Sequence, residues 1–446
     1  MTENKLADLS PVQKRQKKID KFLDAKDVNF INDEARKAYH IRAQRLIDAY
    51  SVQEPDRVPV NLPLGNLPYF LYGLNTYDVM YNYDRAIEAC NRFNHDYSAE
   101  LEVFATPGIM SGKALEILGY KLYVWPGSGL PLDATGFQFV EGEYMKADEY
   151  DFLIRDPSDF WIRTYLPRIF GVFEPLRMTR PVTDITEIIG AQQLSVLSLP
   201  EMQLMLRTLI EAGQEYRKLS DAMKNNSTSA EANGFPVVRG IFCKAPFDVL
   251  GDTLRGTKGI MTDMYRQPDK LLEALDVIAD VTIGSVLNSP MVGDALFVSY
   301  PLHKGADGWM SQKQFEKFYW PSLRKVMNAF IQEGLMQHLF AEGSFNTRLE
   351  TVNEFPKGFV SWLFDQTDMA KAKKVLGKNC CIEGNIPSSL IVTGSPDLVK
   401  NYCKKLIDIC APGGGYIIAA GATPDRPELE NLKAIMDTVR QYGVYR

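Results

Sequence analysis

Four histidines occur in the 446-residue chain, at positions 40, 95, 303 and 338, and two of them stand near carboxylates in a pattern suited to proton transfer. His338 lies in Gln337-His338-Leu339-Phe340-Ala341-Glu342-Gly343, an apolar run that ends in an acid and a glycine. A carboxylate beside an imidazole raises its pKa and orients its ring, as a general acid or a metal ligand requires. The same pair also suits a salt bridge that merely ties a loop. Asp365 closes the run Phe359-Val360-Ser361-Trp362-Leu363-Phe364. Asp368 reads as the N-cap of a helix that begins at Met369, whereas Asp365 has no such duty. His338, Glu342 and Asp365 are therefore the expected catalytic groups.

A second cluster follows another apolar run, in Leu302-His303-Lys304-Gly305-Ala306-Asp307-Gly308-Trp309-Met310. A charged loop with an aromatic residue suits a lid over a pocket. Cys380 and Cys381 alternate across the next run, so one of them faces inward. Glu383 and Asn385 turn out of that run. Gly413-Gly414-Gly415 precedes an apolar run instead of following one, which marks a tight turn and not a phosphate cradle.

Such groups act together only if the elements carrying them converge. From residue 237 onward, short apolar runs alternate with helix-length segments. The runs are Val237 to Phe242, Ala295 to Tyr300, Met336 to Phe340, Phe359 to Phe364, Cys380 to Glu383 and Tyr416 to Ala420. Helices are expected around 267–288, 311–333, 367–376, 395–410 and 427–442. This alternation implies right-handed crossovers and a parallel sheet. With runs near residues 58 and 101 the strands number eight, which closes a (β/α)8 TIM barrel with its chemistry at the strand C-terminal ends. Residues 51–446 are expected to form that barrel and residues 1–50 an N-terminal helical arm, opened by the capping pair Ser10-Pro11. A long helix is expected from 200 to 224, ended by Asn225-Asn226-Ser227-Thr228-Ser229.

Composition narrows the function. Hydrophobic residues make up 45% and charged residues 24%, enough for a large core, and the net charge of −6 argues against binding nucleic acid through its phosphates. Six cysteines in so long a chain are no disulfide framework. No apolar run approaches the roughly 18 residues that span a bilayer, and the first 18 residues lack a signal-peptide core. A cytoplasmic enzyme is expected.

Several stretches resemble the uroporphyrinogen decarboxylase superfamily. They are Glu54-Pro55-Asp56-Arg57-Val58-Pro59-Val60, Ala245-Pro246-Phe247 through Leu254-Arg255-Gly256, Gln314-Phe315-Glu316-Lys317-Phe318 to Pro321, Leu376-Gly377 to Pro387, and Gly394-Ser395-Pro396 with the Glu430-Asn431-Leu432-Lys433-Ala434 tail. The resemblance implies a (β/α)8 barrel and either porphyrinogen decarboxylation or corrinoid-linked methyl transfer. The decarboxylases carry an arginine motif shortly after the first strand; here that stretch is Asn61-Leu62-Pro63-Leu64-Gly65-Asn66 without arginine. A polycarboxylate without cationic partners binds badly. The thiol-methylating branch holds zinc with a His-x-Cys pair and a late cysteine, and this chain has Phe340 and the cysteine-free stretch 411–415 at those places. A harder set, His338, Glu342, Glu383 and Cys381, is left as the candidate zinc site.

The expected function is accordingly a methyltransferase that moves a methyl group from a small apolar donor, such as a methoxylated aromatic, to a corrinoid carried by a partner protein. The substrate would contact His303, Lys304 and Asn385 and be clamped by Tyr300, Trp309, Phe345 and Trp362. The alternative is a cofactor-independent decarboxylase of a small aromatic or heterocyclic acid, with Arg239, Lys244, Lys304 or Arg348 beside Asp365. A homodimer is expected because symmetric pairs are the commonest assemblies.

Overall fold

Alternating apolar runs and amphipathic segments form a parallel sheet when each helix packs its strand pair from outside. In the computed structural model, which describes residues 9–108 and 110–445, the first main strand, β1, is Val60–Asn61. Three short strands, β2 (Tyr123–Pro126), β3 (Gly129–Leu130) and β4 (Gln138–Phe139), form a separate small sheet. The main strands continue with β5 (Gly240–Phe242), β6 (Phe297–Leu302), β7 (Met336–Ala341), β8 (Val360–Phe364), β9 (Cys381–Glu383) and β10 (Tyr416–Ala419). They are all parallel and lie in the order β1-β10-β9-β8-β7-β6-β5. Sequential order with β1 returning beside β10 is the winding of a TIM-barrel-like α/β fold.

The seam between β1 and β5 is where the fold departs from expectation. The run near residue 101 was to supply the eighth strand. Instead Leu101 ends the helix Tyr83–Leu101, and residues 103–108 have no regular structure. The reason is local: the buried Asn94 amide accepts from the Ala105 N–H (2.6 Å) and donates to the Ala105 carbonyl (3.0 Å). A side chain thus takes the backbone groups that a neighbouring strand would otherwise pair. The long helix also differs, running from Pro200 to Ala232 instead of stopping at 224. Burial of Asn226, Ala230 and Glu231 holds the polar stretch helical despite its turn-forming residues.

Period-two alternation divides the strands into two faces. Val298, Tyr300, Leu302, Leu339, Ala341, Trp362, Phe364, Ile382 and Ile418 belong to the large core with the covering helices, such as Leu323 and Phe330 of helix Trp320–Gln332. Residues of opposite parity line the barrel interior. Its N-terminal end is closed by two helices, α1 (Pro11–Asp24) and α2 (Asp33–Tyr50). Ile19 and Ile47 pack on Leu296, Phe297 and Met336, and Ala49 packs on Cys381 and Ile417. Tyr50 meets the Phe297 ring edge-on at 4.6 Å. The glycine turn before β10 has φ values of +78°, +74° and +67°, and a Cβ on Gly414 would lie 2.2 Å from the Gln53 carbonyl carbon. Among the described residues no helix is long and apolar enough to cross a membrane.

Replacing Asn94 by alanine leaves the Ala105 N–H and carbonyl without their partners. The expected cost is about 1–3 kcal/mol, read as a lower urea midpoint with an unchanged slope.

Candidate active site

Strand pairing sets the heights of the inward residues. Phe242, Ser299, His338, Ser361 and Cys381 share one level across β5 to β9. From this level the His338 ring reaches Glu383, one inward step higher on β9, with Nε2 3.1 Å from Oε1. The Ser361 hydroxyl donates to the same carboxylate oxygen at 2.5 Å. Glu383 is only 1% exposed, whereas the His338 side chain keeps 23% exposure. One end of the pair is therefore buried in the wall and the other reaches the interior space. Burial works against charge on both partners, but their mutual attraction prevails: His338 is held above the ordinary imidazole range and Glu383 below the ordinary carboxylate range.

The walls around this pair are apolar and open. Phe242 is 71% exposed although it points inward, and Phe340 and Leu363 are half-buried. Asn61, the inward residue of β1, is exposed. Phe297 lies edge-on to the His338 ring at 6.2 Å, below it.

A second charged group sits at the C-terminal rim. Asp252 pairs with Lys244 (2.7 Å), Lys304 (3.0 Å) and His303 Nδ1 (2.6 Å). Burial opposes ionisation of Asp252, yet these three partners hold its carboxyl far below the usual range. Asp252 in turn raises the His303 pKa, chiefly through their hydrogen bond and against partial burial. One turn earlier Asp248 is fully buried and accepts from the backbone N–H groups of His303 (3.1 Å) and Lys304 (3.0 Å) and from the Tyr319 hydroxyl (2.7 Å). Its burial and the nearby Asp252 push its carboxyl above the usual range. Asp248 pins the loop; Asp252 gathers the cations.

The expected residues are distributed differently from the reading above. His338 and Glu342 both face inward, but four strand residues separate them by about 13 Å, and Glu342 instead reaches His303 Nε2 at 3.8 Å. The acid beside His338 is Glu383. Asp365 accepts from the Gly343 N–H at 3.1 Å and braces the turn after β7. Asn385 donates to the carbonyls of Asp365 (3.0 Å) and Thr367 (2.8 Å), so its amide ties two loops together. Lys304 is spent on Asp252 and the Thr257 hydroxyl (2.9 Å), with its ammonium over the half-buried Trp309 ring at 5.3 Å.

Three rings of the expected clamp lie on the wrong face. Tyr300 is 1% exposed and donates to Gln337 Oε1 (2.6 Å) on the outward side of the sheet. Trp362 is fully buried, stacked on Phe364, with Phe345 buried against it. Their even or loop positions put them in the helix-facing core. The expected zinc set does not converge either. Among the described residues no three His, Cys, Asp or Glu side chains group as metal ligands. Glu342 rests on His303, and Cys381 is buried under Ala49, which pushes its thiol well up. The residues present do not fit zinc. The cation–acid pairs of the decarboxylase alternative are also unformed: Arg239 binds Glu231 (2.9 Å), Arg348 is 1% exposed among backbone carbonyls, and Lys244 binds Asp252.

Two groups escaped the sequence reading. Asp248 and Asp252 stand four residues apart just past β5, in the helical stretch Pro246–Asp248 and Val249–Leu254, a spacing that places both on one helix face. Phe242 carried no signal, because an exposed interior phenylalanine looks like any strand residue.

The uroporphyrinogen decarboxylase (URO-D) family model matches residues 217–442, about half the chain and all strands from β5 to β10. The chain belongs to this family. Among curated relatives, uroporphyrinogen decarboxylase of Geobacter sulfurreducens is 24% identical over 180 residues, 40% of this chain and 51% of that protein. The Geobacter metallireducens enzyme is 29% identical over 114 residues, 26% of this chain and 33% of that protein. The chain thus spans about half or less of the length of these relatives. A methyltransferase from Methanosarcina mazei has a similar structure, with a TM-score of 0.57 and 17% identity over 90% of this chain and 98% of that one. That likeness establishes the fold.

Asp252→Asn tests the rim. The His303 pKa is expected to fall in an NMR titration. Because the raised His303 pKa adds stability below about 6.5 that is lost as pH rises through its folded value, the stability gap between wild type and variant should narrow with rising pH. An unmoved His303 titration would remove Asp252 as its partner.

Proposed function

We propose that the protein transfers a methyl group from a small, largely apolar methyl ether, such as a methoxylated aromatic, to a corrinoid presented by a partner protein. The observation that carries this reading is an imidazole, His338, held 3.1 Å from a buried carboxylate halfway down an apolar, open barrel. An ether carbon is a poor electrophile because its alkoxide or phenoxide leaves badly, so the oxygen needs a proton as the bond breaks. His338 supplies that proton from the ring held above its ordinary range by Glu383. Ser361 and Glu383 fix the ring's direction. Phe242, Phe340 and Leu363 provide the wall for an apolar donor and exclude water from it.

A reduced corrinoid docked at the mouth would supply the nucleophile for the methyl group, and the donor's oxygen would leave with the proton from His338. An open mouth with an exposed aromatic wall suits a planar group brought by another protein. The structural likeness to a methyltransferase supports the same assignment. Against a polycarboxylate substrate stands the pairing of Lys244, Lys304 and His303 with Asp252, which leaves these rim cations committed.

Mixing the protein with a reduced corrinoid protein and a panel of methoxylated aromatics should discharge the reduced-corrinoid absorbance; no change across the panel, with CO2 released from an aromatic acid, would establish the decarboxylase. His338→Gln, which keeps a donor to Glu383, should lower the transfer rate by about 10²–10⁴-fold. Since the active ring is protonated, the rate should fall as pH rises through the His338 pKa. Glu383→Gln should move that limb to lower pH, as read from a pH–rate profile.

A further inference from the structure

Far from the mouth, at the N-terminal edge of the sheet, three arginines converge on a cavity of about 290 Å³ in the open seam between β1 and β5. Arg42 and Arg45 project from α2 and Arg57 from the segment entering β1, while Leu46, Phe104 and Phe235 supply apolar walls.

The charges here do not balance. Glu102 is the acid in the lining, and it is shared by Arg57 Nη2 and by Arg440 Nε at 2.9 Å. Arg45 closes its fork on Asp56 at 2.6 and 2.7 Å. Arg42 lies 3.9 Å over the Phe235 ring and donates to the Gly234 carbonyl at 2.7 Å. With Arg440 included, four guanidiniums therefore face three carboxylates, Glu102, Asp56 and, 3.8 Å from Arg440 Nη1, Asp437. Arg57 is 12% exposed, and its Nη1 is buried without a hydrogen-bond partner. A buried donor left unpaired is costly, and a guanidinium fork is shaped for a carboxylate.

We propose that this seam cavity binds a small organic anion: a monocarboxylate whose charge meets Arg57 and whose aromatic or branched apolar body lies against Phe104 and Phe235. A bare inorganic anion would leave those walls unfilled, and an uncharged apolar molecule would leave the surplus guanidinium charge unmatched. The ligand would bridge α2, the stretch 103–106 and the segment before β5, pieces that no strand pairing joins across the seam. Binding therefore stabilises the barrel where its sheet is open. This site is independent of the chemistry assigned to the mouth.

The test uses the full chain with benzoate, benzyl alcohol and inorganic phosphate, followed by calorimetric titration and thermal unfolding. Benzoate should bind and raise Tm, while benzyl alcohol and phosphate at the same concentration should not. Arg57→Met should weaken benzoate at least tenfold. Leu46→Trp, which fills the cavity and leaves every arginine in place, should do the same in a protein whose circular dichroism matches wild type. Phe242→Asp, in the barrel wall level with His338, should leave benzoate binding unchanged. The proposal is overturned if benzoate does not bind, if phosphate or benzyl alcohol matches it, if binding survives Leu46→Trp, or if Phe242→Asp abolishes it.

Discussion

A carboxylate placed in the wall of a barrel has to be neutralised, and the contact between Glu383 and His338 is what makes the interior of this protein possible. Glu383 is 1% exposed on β9, with the Ser361 hydroxyl and the His338 ring as its partners. An ion pair so buried gains little net stability, because desolvating both charges offsets their attraction. What it does provide is a bias in protonation: each partner shifts the other toward its charged form. The ring then presents its remaining surface to a space walled by Phe242, Phe340 and Leu363. In the proposed reaction that ring is the group placed to hand a proton to a leaving oxygen.

The rest of the architecture serves this arrangement from two ends. Below, α1 and α2 close the barrel, so Ala49 and Tyr50 form a floor under Cys381 and Phe297. Above, Asp248 ties the loop after β6 through two backbone N–H groups, and Asp252 binds the three nearby cations. The rim is thereby charged but internally satisfied. An incoming ligand meets a mouth whose Lys244, Lys304 and His303 are already paired with Asp252, which agrees with the apolar donor proposed above. The open seam beside Asn94 is the remaining irregularity, and it is where unbalanced arginines gather.

The barrel strands were legible because each is a short apolar run between helix-length segments, and a parallel sheet buried on its outer face leaves that signature. β6, β7, β8 and β10 lie within two residues of where periodicity puts them. The stretch after residue 101 has the same apolar look and is no strand, because the Asn94 side chain, eleven residues away, satisfies Ala105. A turn-rich stretch at 225–229 stays helical because tertiary contacts bury Asn226 and Glu231. Neither competitor is visible in the local pattern.

For the site, residue types alone marked His338 and His303 as the groups to watch and placed them at strand ends. They could not assign partners. Glu342 is nearest to His338 in sequence, but a strand carries residues four apart too far from each other to touch, and β9, two strands away across β8, brings Glu383 instead. Likewise, a row of aromatic residues near strand ends does not say which face each occupies; strand parity sends Tyr300 and Trp362 outward to the helices and leaves Phe242 within. Composition and periodicity decide which elements form, since those depend on local propensity and burial of apolar surface. Only the register between strands distant in sequence decides which charges meet, and the chemistry rests on those meetings.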